Sequence, residues 1–320
     1  MDLGTGVLFV IVVVGVPAIT VLYGLATEWV LRFVPDRRRA GLRPWLWLLP
    51  GVLFLAIFLV YPTISTVLLS FQDRRSENFV GLQNYVDLLG QPLFWQTIGN
   101  TVLWIIFFTG LAVLFGLMVA VLADRVRYET AVKALIFIPM AISFVAAGVI
   151  WGFMYDFDPD IGTLNAAVVA AGGEPQAWLL EWPRNTGMLI IVGIWMWVGF
   201  AMVILSAGLK GINLELLEAA RMDGANELQV FYRIILPLLA PTIAVVGTTI
   251  LITALKTFDI VYVMTGGNFG TNVIGTLWYE ERFTNRDIGT ASAVAVILIL
   301  TIVPVMLLNI RRFQAQEAAR

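Results

Sequence analysis

Long runs of apolar residues, separated by short polar connections, dominate the pattern along this chain. A helix needs about 20 mostly apolar residues to cross a bilayer. Seven stretches meet that requirement, at residues 6–26, 45–71, 97–122, 134–155, 187–209, 238–264 and 289–310. The pattern therefore predicts an all-α membrane protein with about seven transmembrane helices.

The basic residues of the connections indicate an orientation. Fourteen of the 20 Lys and Arg residues lie in the connections after the first, third and fifth apolar stretches or in the C-terminal tail. Five lie in the alternate connections, and Lys256 falls inside a stretch. Because cytoplasmic loops carry the excess of Lys and Arg, the sequence predicts an external N-terminus and a cytoplasmic C-terminus.

The first apolar stretch does not have the features of a cleavable signal peptide. No basic residue precedes it, and the basic linker RFVPDRRRAGLRP follows it. We expect it to insert as an anchor. The linker then separates an extra N-terminal helix, residues 1–43, from a six-helix core, residues 44–320.

Composition narrows the chemistry that the chain can perform. Hydrophobic residues make up 59% of it and charged residues 13%, whereas about 25% of a soluble protein is charged. The net charge of −2 does not indicate a basic protein that would attract nucleic acid. Cysteine and histidine are both absent, which removes the thiolate nucleophile and the commonest general base and metal ligand. The acidic residues of the outer loops do not have the spacing of an EF-hand calcium loop. We therefore expect neither an enzyme nor a metal site.

A charged segment, residues 210–237, interrupts the apolar pattern before the sixth stretch. Asn213 suits the N-cap of a short helix over residues 214–223, and Gly224 suits the position after its C-terminus. Asn226 and Gln229 have the spacing of a capping box for a second helix. The short helix could lie on lipid headgroups. Its excess of acidic residues disfavours an anionic membrane surface and favours a protein partner.

The same segment carries a recognisable signature. Glu218-Ala219-Ala220 is followed by Gly224 and then by Ile234 and Leu236-Pro237 at the spacing of the EAA motif. The segment thus resembles the permease subunits of binding-protein-dependent ABC importers. The resemblance implies that the segment forms a coupling helix that docks on a cytoplasmic ATPase. The residues it assigns to coupling are Glu218, Ala219, Ala220, Asp223, Gly224, Ile234, Leu236 and Pro237.

The remaining core is similar to sugar permeases of the maltose and glycerol-phosphate type. The stretches FVGLQNYVDLL, FWQTIGNT and FDIVYVMTGGNFGTNVIGTLWYEERF carry this likeness. Gly266-Gly267-Asn268 stands where the family usually has Gly-Gly-Pro, which favours the α-glucoside subgroup. The resemblance implies import of an α-glucoside or another oligosaccharide across a bacterial or archaeal cell membrane, by ATP-driven alternating access.

The resemblance also implies partners. The chain has no G-x-x-x-x-G-K-[ST] phosphate-binding loop, so any ATP must bind to another polypeptide. We expect no cofactor in this chain, with ATP and Mg bound by a dimer of ATP-binding subunits. A second permease subunit, as a heterodimer, and an extracytoplasmic solute-binding protein would complete the importer in the membrane lipid. No nucleic acid partner is expected.

Sugars bind to aromatic faces combined with a few polar groups in a concave site. Residues 195–202, WMWVGFAM, and residues 255–262, LKTFDIVY, have this composition. By resemblance, maltose-type permeases hold sugar in the same two helices. The predicted substrate path comprises Trp197, Gly199, Phe200, Met202, Lys256, Thr257, Phe258 and Asp259. Asn100 and Trp104 are weaker candidates.

Lys256 and Asp259 are ionisable residues inside an apolar stretch, and their spacing of three positions predicts that they lie on one face of its helix. Such residues usually face a polar cavity, where they would bind sugar hydroxyls, but they could equally form a structural ion pair. An ion-coupled secondary transporter could use Lys256 and Asp259 as a relay. That class typically contains repeated halves with broken helices, and no such symmetry is visible in the sequence.

Overall fold

A computed structural model describes residues 3–124 and 126–318, and all regular elements in these ranges are helices. Arg125 and Arg320, which contributed to the predicted orientation, lie outside the described residues. The helices are α1 (Leu3–Leu31), α2 (Asp36–Leu69), α3 (Gln83–Gly90), α4 (Pro92–Ala123), α5 (Glu129–Phe137), α6 (Phe144–Met154), α7 (Thr163–Ala170), α8 (Arg184–Lys210), α9 (Leu214–Met222), α10 (Glu227–Leu255), α11 (Asp259–Thr265), α12 (Ile274–Tyr279) and α13 (Ile288–Ala318).

Each of the seven predicted apolar stretches lies mostly on helix. Six helices of the described residues, α1, α2, α4, α8, α10 and α13, are long and apolar enough to cross a membrane. The pair α5 and α6 supplies a seventh crossing if its two halves are counted as one. The predicted class, an all-α membrane protein with about seven spans, is confirmed.

The fourth stretch is not the single straight helix that the apolar pattern predicted. α5 passes into a short 3-10 turn, Ile138–Ala141, and α6 then leaves at an angle of 100°. Pro139 lies in this turn, and because proline has no backbone N–H, one helical hydrogen bond is missing where the chain bends. Ser143 is the N-cap of α6, and its hydroxyl accepts a hydrogen bond from the Ala146 amide at 3.1 Å.

The sixth stretch also differs from its prediction, at both ends. The stretch was predicted to begin at residue 238, but the helix that carries it, α10, begins at Glu227 and runs through Pro237. A π-helical turn, Phe231–Ile235, precedes the proline. The wider hydrogen-bond spacing of this turn accommodates a residue that has no backbone N–H to donate. The predicted continuous helix over residues 238–264 is wrong, because α10 ends at Leu255 and α11 begins at Asp259.

The chain divides into two compact units, Met1–Thr66 and Val67–Arg320. In the first unit, α1 and the N-terminal part of α2 form a hairpin. Arg43 donates two hydrogen bonds to one carboxylate oxygen of Glu28, at 2.7 and 3.0 Å, and Arg39 donates to the Leu31 carbonyl at 2.9 Å. These bonds hold the basic linker against the end of α1. The boundary predicted near residue 43 stays a prediction.

In the second unit, α8 is the central helix. It packs along α4 and also contacts α10 and the bent pair α5–α6. Small residues permit this close packing: a Cβ added to Gly116 would lie 2.4 Å from the Ala201 Cβ, and one added to Gly199 would lie 2.6 Å from the Ile136 carbonyl oxygen. Since helices in lipid associate mainly through such close contact, α8 forms the rigid centre of the unit.

The packing of α8 yields a stability prediction. Gly199→Ala forces a methyl group against the backbone of Ile136 and Phe137, which cannot move without displacing α5. Overpacking of this kind costs about 1–3 kcal/mol. We expect a lower thermal midpoint for the purified protein in detergent.

Gly187→Ala on the same helix is the matched control. A Cβ at Gly187 meets no atom within 4 Å, and alanine is a better helix former than glycine, so the midpoint should stay unchanged or rise. Equal midpoints for the two variants would contradict the close packing of α8 on α5.

Candidate functional site

The charged segment folds as the sequence predicted. α9 covers Leu214–Met222, and the Asn213 side chain accepts a hydrogen bond from the Glu215 amide at 2.9 Å. Gly224 has a φ of +85°. The Ala225 amide reaches the Ala220 carbonyl at 3.0 Å, a bond that closes the helix C-terminus when the intervening residue is left-handed. The predicted N-cap and the predicted role of Gly224 are confirmed.

The turn after α9 is fixed by two further interactions. Asn226 and Gln229 form the predicted capping box, with both side chain to backbone hydrogen bonds at 2.9 Å. Arg221 of α9 pairs with Glu227 of α10 through two hydrogen bonds, at 2.8 and 3.4 Å. This carboxylate raises the pKa of Arg221. α9 is therefore held at a defined angle to the start of α10.

α9 presents an apolar surface that the described residues do not cover. None of its side chains is buried, and Leu214 and Met222 are 70% and 88% exposed. Glu218 and Ala219 are also exposed. Solvent-exposed patches of this kind mark interaction sites. The other signature residues, Ile234, Leu236 and Pro237, lie on the first turns of α10.

A charge cluster joins this end of α8 to the connection after α4. It consists of Asp124, Glu129, Lys133, Ser206 and Lys210. Lys133 contacts both Asp124 and Glu129 at 2.5 Å and donates to the Ser206 hydroxyl, and Lys210 contacts Glu129 at 2.5 Å. Lys210 ends α8 three residues before the N-cap of α9, so the cluster braces the base of the coupling segment.

A central cavity of about 340 Å³ lies between α4, α8 and the break after α10. The break supplies its polar wall, and α4 and α8 supply aromatic rings. The lining residues are Trp104, Phe108, Phe144, Gly193, Trp197, Ile252, Thr253, Lys256, Thr257, Phe258, Asp259 and Ile260.

The aromatic wall depends on a second π-helical turn, Trp104–Phe108 on α4. Trp104 and Phe108 meet edge to face at 5.6 Å between ring centres, and Phe108 meets Trp197 of α8 at 6.4 Å. A Cβ on Gly193 would lie 2.8 Å from the Trp104 ring, so glycine leaves room for it. Extra residues in a helical turn of this type recur at functional sites.

The break between α10 and α11 brings polar groups to the cavity. Residues 256–258 leave the helical path, with Phe258 at φ −146°. The Lys256 and Thr257 amides still bond to carbonyls of the last turn of α10. The predicted placement of Lys256 and Asp259 on one face of a helix is wrong, because the chain turns between them. Among the described residues no ion pair joins these two exposed side chains.

The structure brings most of the predicted substrate path together. Trp197, Lys256, Thr257, Phe258 and Asp259 all line the central cavity, as does the weaker candidate Trp104. These placements come from three separate parts of the chain. Their contact with substrate stays a prediction.

Four other candidates lie away from the cavity wall. Gly199 packs against the backbone of α5, and Met202 is completely buried in the core beside α4. Phe200 contacts the Trp197 ring at 5.3 Å without lining the cavity. Asn100 is buried and donates to the Gly270 and Asn272 carbonyls, at 2.6 and 2.8 Å. Gly199 and Met202 therefore pack in the core behind the cavity and do not form its wall.

Sequence reasoning missed six lining residues: Phe108, Phe144, Gly193, Ile252, Thr253 and Ile260. Phe108 follows Trp104 by four positions, a spacing that places two rings on one helical face. From that spacing, Phe108 could have been predicted as a second aromatic residue of the site. Phe144 could not be found in the same way, because it reaches the site only through the 100° bend after α5.

Comparison with known proteins supports the same interpretation. Residues 112–312 match the family described as binding-protein-dependent transport system inner membrane component. The osmoprotective compounds uptake permease protein GgtC of Synechocystis sp. is 52% identical over 275 residues, which are 85% of this chain and 99% of that protein. The alpha-glucoside transport system permease protein AglF of Rhizobium meliloti is 47% identical over 276 residues, 85% of this chain and 82% of that protein.

The fold is likewise shared with a solved importer. A crystal structure of a bacterial ABC transporter involved in the import of the acidic polysaccharide alginate has a TM-score of 0.71 at 24% identity, and the match covers 86% of this chain and 98% of that one. The permease resemblance drawn from the EAA motif is confirmed. This multi-pass membrane chain therefore belongs to the family of inner membrane components of binding-protein-dependent transport systems.

Proposed function

We propose that this chain is the membrane-spanning subunit of an ATP-driven importer of α-glucosides or other oligosaccharides. One observation carries the proposal: the break between α10 and α11 opens into a cavity walled by Trp104, Phe108, Trp197 and Phe258. Transport proteins place substrate sites at such interrupted helices. The name of the relative AglF, an alpha-glucoside permease, supports the substrate class.

The cavity has the chemistry that a sugar requires. The rings of Trp197 and Phe258 would stack on the apolar faces of a pyranose. Lys256 and Asp259 would donate to and accept from its hydroxyl groups, since neither side chain has a partner among the described residues. Thr253 and Thr257 add hydroxyls to the same wall. The cavity thus combines a few polar groups with several aromatic rings, a composition that is typical of small-molecule binding sites.

ATP would act on this chain through α9. The exposed surface of α9 would dock on an ATP-binding subunit, which binds ATP and Mg, and this chain would hold no cofactor of its own. α9 follows the C-terminal end of α8 after residues 211–213, and α8 carries Trp197 at the cavity. A push on α9 would therefore move one wall of the cavity directly, which is the movement that alternating access needs.

The remaining parts of the importer follow from the same proposal. A solute-binding protein would deliver the sugar from outside. A second, non-identical permease subunit would complete the cavity. The family assignment disfavours the alternative of an ion-coupled secondary transporter using Lys256 and Asp259.

The first test concerns coupling. Gly224 has a φ of +85°, and a Cβ added there would meet no atom within 4 Å, so a substitution changes backbone strain and little else. Gly224→Val should uncouple transport, because β-branched residues disfavour the left-handed region at a cost of about 1–2 kcal/mol. Uptake and sugar-stimulated ATP hydrolysis by the complete importer would both be measured.

Gly224→Asn is the matched control, since asparagine tolerates this conformation. It should keep most of the stimulated ATP hydrolysis. If both variants transport at the wild-type rate, α9 is not the coupling element.

The second test concerns the cavity. Asp259→Asn keeps the shape of the side chain but loses charge-assisted hydrogen bonds to sugar, which are worth about 1.5–3 kcal/mol each. We expect the KM for maltose uptake to rise about tenfold or more, with assembly of the importer unchanged. Trp197→Ala should slow the same uptake by removing a stacking surface, and Trp197→Phe should restore part of it.

Asp160→Asn provides a control in an exposed loop away from the cavity. It should leave the KM unaltered. An Asp259→Asn variant that loses assembly, and regains it when combined with Lys256→Met, would instead identify a structural charge pair.

The third test concerns orientation. A reporter fused after Arg39 should be active on the cytoplasmic side, and one fused at Glu174 on the external side, because the basic connections are retained inside. Activity of either fusion on the opposite side would contradict an external N-terminus.

A further inference from the structure

A second cavity, of about 390 Å³, lies beyond the helix break at the end of α11. Its walls come from the start of α4, the loop of residues 266–273, α12 and the π-helical turn Glu280–Thr284. Its polar and aromatic lining includes Gln96, Tyr262, Asn268, Tyr279, Glu280 and Thr284. It shares no lining residue with the central cavity. We call it the loop pocket.

Aromatic rings connect the two cavities. Phe258 of the central cavity stacks on Tyr262 of the loop pocket at 5.0 Å between ring centres, with an interplanar angle of 19°. Tyr279 lies 4.7 Å from Tyr262 and 5.4 Å from Phe258. Phe283 follows Tyr279 at 4.8 Å. These four residues, the aromatic ladder, form one continuous set of rings from the central cavity past the loop pocket.

The loop pocket also offers polar groups that are free to bind a ligand. Within the described part of the chain, the side chains of Gln96 and Glu280 make no hydrogen bond or ion pair, and Thr284 is exposed at the edge. A carboxylate without a partner at a pocket wall can accept hydrogen bonds from the hydroxyl groups of a ligand. The set of amide, carboxylate and hydroxyl beside aromatic rings matches the chemistry of sugar recognition.

The wall of the loop pocket is held in place by buried side chains. Asn100 of α4 donates to the Gly270 and Asn272 carbonyls, and Asn185 of α8 donates to the Phe269 carbonyl at 2.8 Å. The Thr265 and Thr271 hydroxyls bond to each other at 2.7 Å. Several loop residues have positive φ, Gly266, Gly267, Phe269 and Gly270 among them. A wall fixed in advance lowers the entropic cost of binding.

We propose that the loop pocket is a second carbohydrate subsite, which binds a sugar unit beyond the one in the central cavity. This inference rests on the proposed function and deepens it. Tyr262 and Tyr279 form the stacking face, and Glu280 and Gln96 bind hydroxyl groups. The aromatic ladder links the aromatic walls of the two cavities through direct ring contacts. The substrate is then an oligosaccharide that occupies both cavities, or one that passes through the loop pocket on its way in.

The absence of cysteine from the chain allows a direct test. Single cysteines are introduced at Thr284 in the loop pocket, at Thr257 in the central cavity and at Glu174 in an exposed loop. Each is labelled with a maleimide in the complete importer, and labelling of this chain is read by mass spectrometry. The probes are methyl α-glucoside, maltose and maltotriose, each added with and without the solute-binding protein.

We expect maltose or maltotriose to slow labelling of Thr284→Cys, by about tenfold at a concentration ten times the Kd. Glu174→Cys should label at the same rate throughout. Adding Glu280→Gln or Tyr279→Leu should abolish the protection of Thr284→Cys while that of Thr257→Cys persists. Tyr279→Phe, which keeps the ring, should retain it.

The remaining outcomes separate the two proposals. Protection of Thr257→Cys without protection of Thr284→Cys would overturn the second subsite and leave the proposed function standing. Protection of neither site by any probe would overturn both. Protection of Thr284→Cys by the binding protein alone, or protection insensitive to Glu280→Gln and Tyr279→Leu, would identify a docking or conformational effect and overturn the subsite.

Discussion

Inside a bilayer no water is available to an open backbone amide or carbonyl, so a helix can be interrupted there only where protein or an aqueous cavity surrounds the interruption. The break at residues 256–258 meets this condition on two sides. α12 covers one side so closely that a Cβ on Gly275 would lie 2.7 Å from the Thr257 carbonyl oxygen. The central cavity occupies the other. The rest of the site follows from this single interruption.

Because the break must be covered, the chain that follows it is also fixed. α11 and the loop of residues 266–273 return towards α4, where Asn100 binds two loop carbonyls and accepts a hydrogen bond from the Trp182 indole at 2.9 Å. The loop that Asn100 holds is therefore a wall of the loop pocket. Asn100, which the sequence indicated only as a weaker substrate candidate, thus joins three parts of the fold.

α8 connects this region to the other end of the protein. It lies against α4 and α5 through Ala201 and Gly199, and its C-terminal turn carries Lys210 and Ser206 of the charge cluster. A helix packed so closely has little freedom to bend, because interiors at crystal-like density transmit displacement. Movement at α9 would consequently reach Trp197 with little loss.

The sequence by itself determined the features that depend on residues close together in the chain. The length of apolar runs set the spans, and the caps at Asn213, Gly224 and Asn226 set α9 and its turn, since each involves contacts within about five positions. Only the tertiary structure decided where helices break and which side chains meet. Pro139 and Pro237 look alike in the sequence, yet one bends the chain by 100° and the other lies within a helix. The reason is physical: a proline or an ionisable residue alters a helix according to what packs against it, and for Lys256 and Asp259 that environment is formed by α4 and α8, far away in the chain.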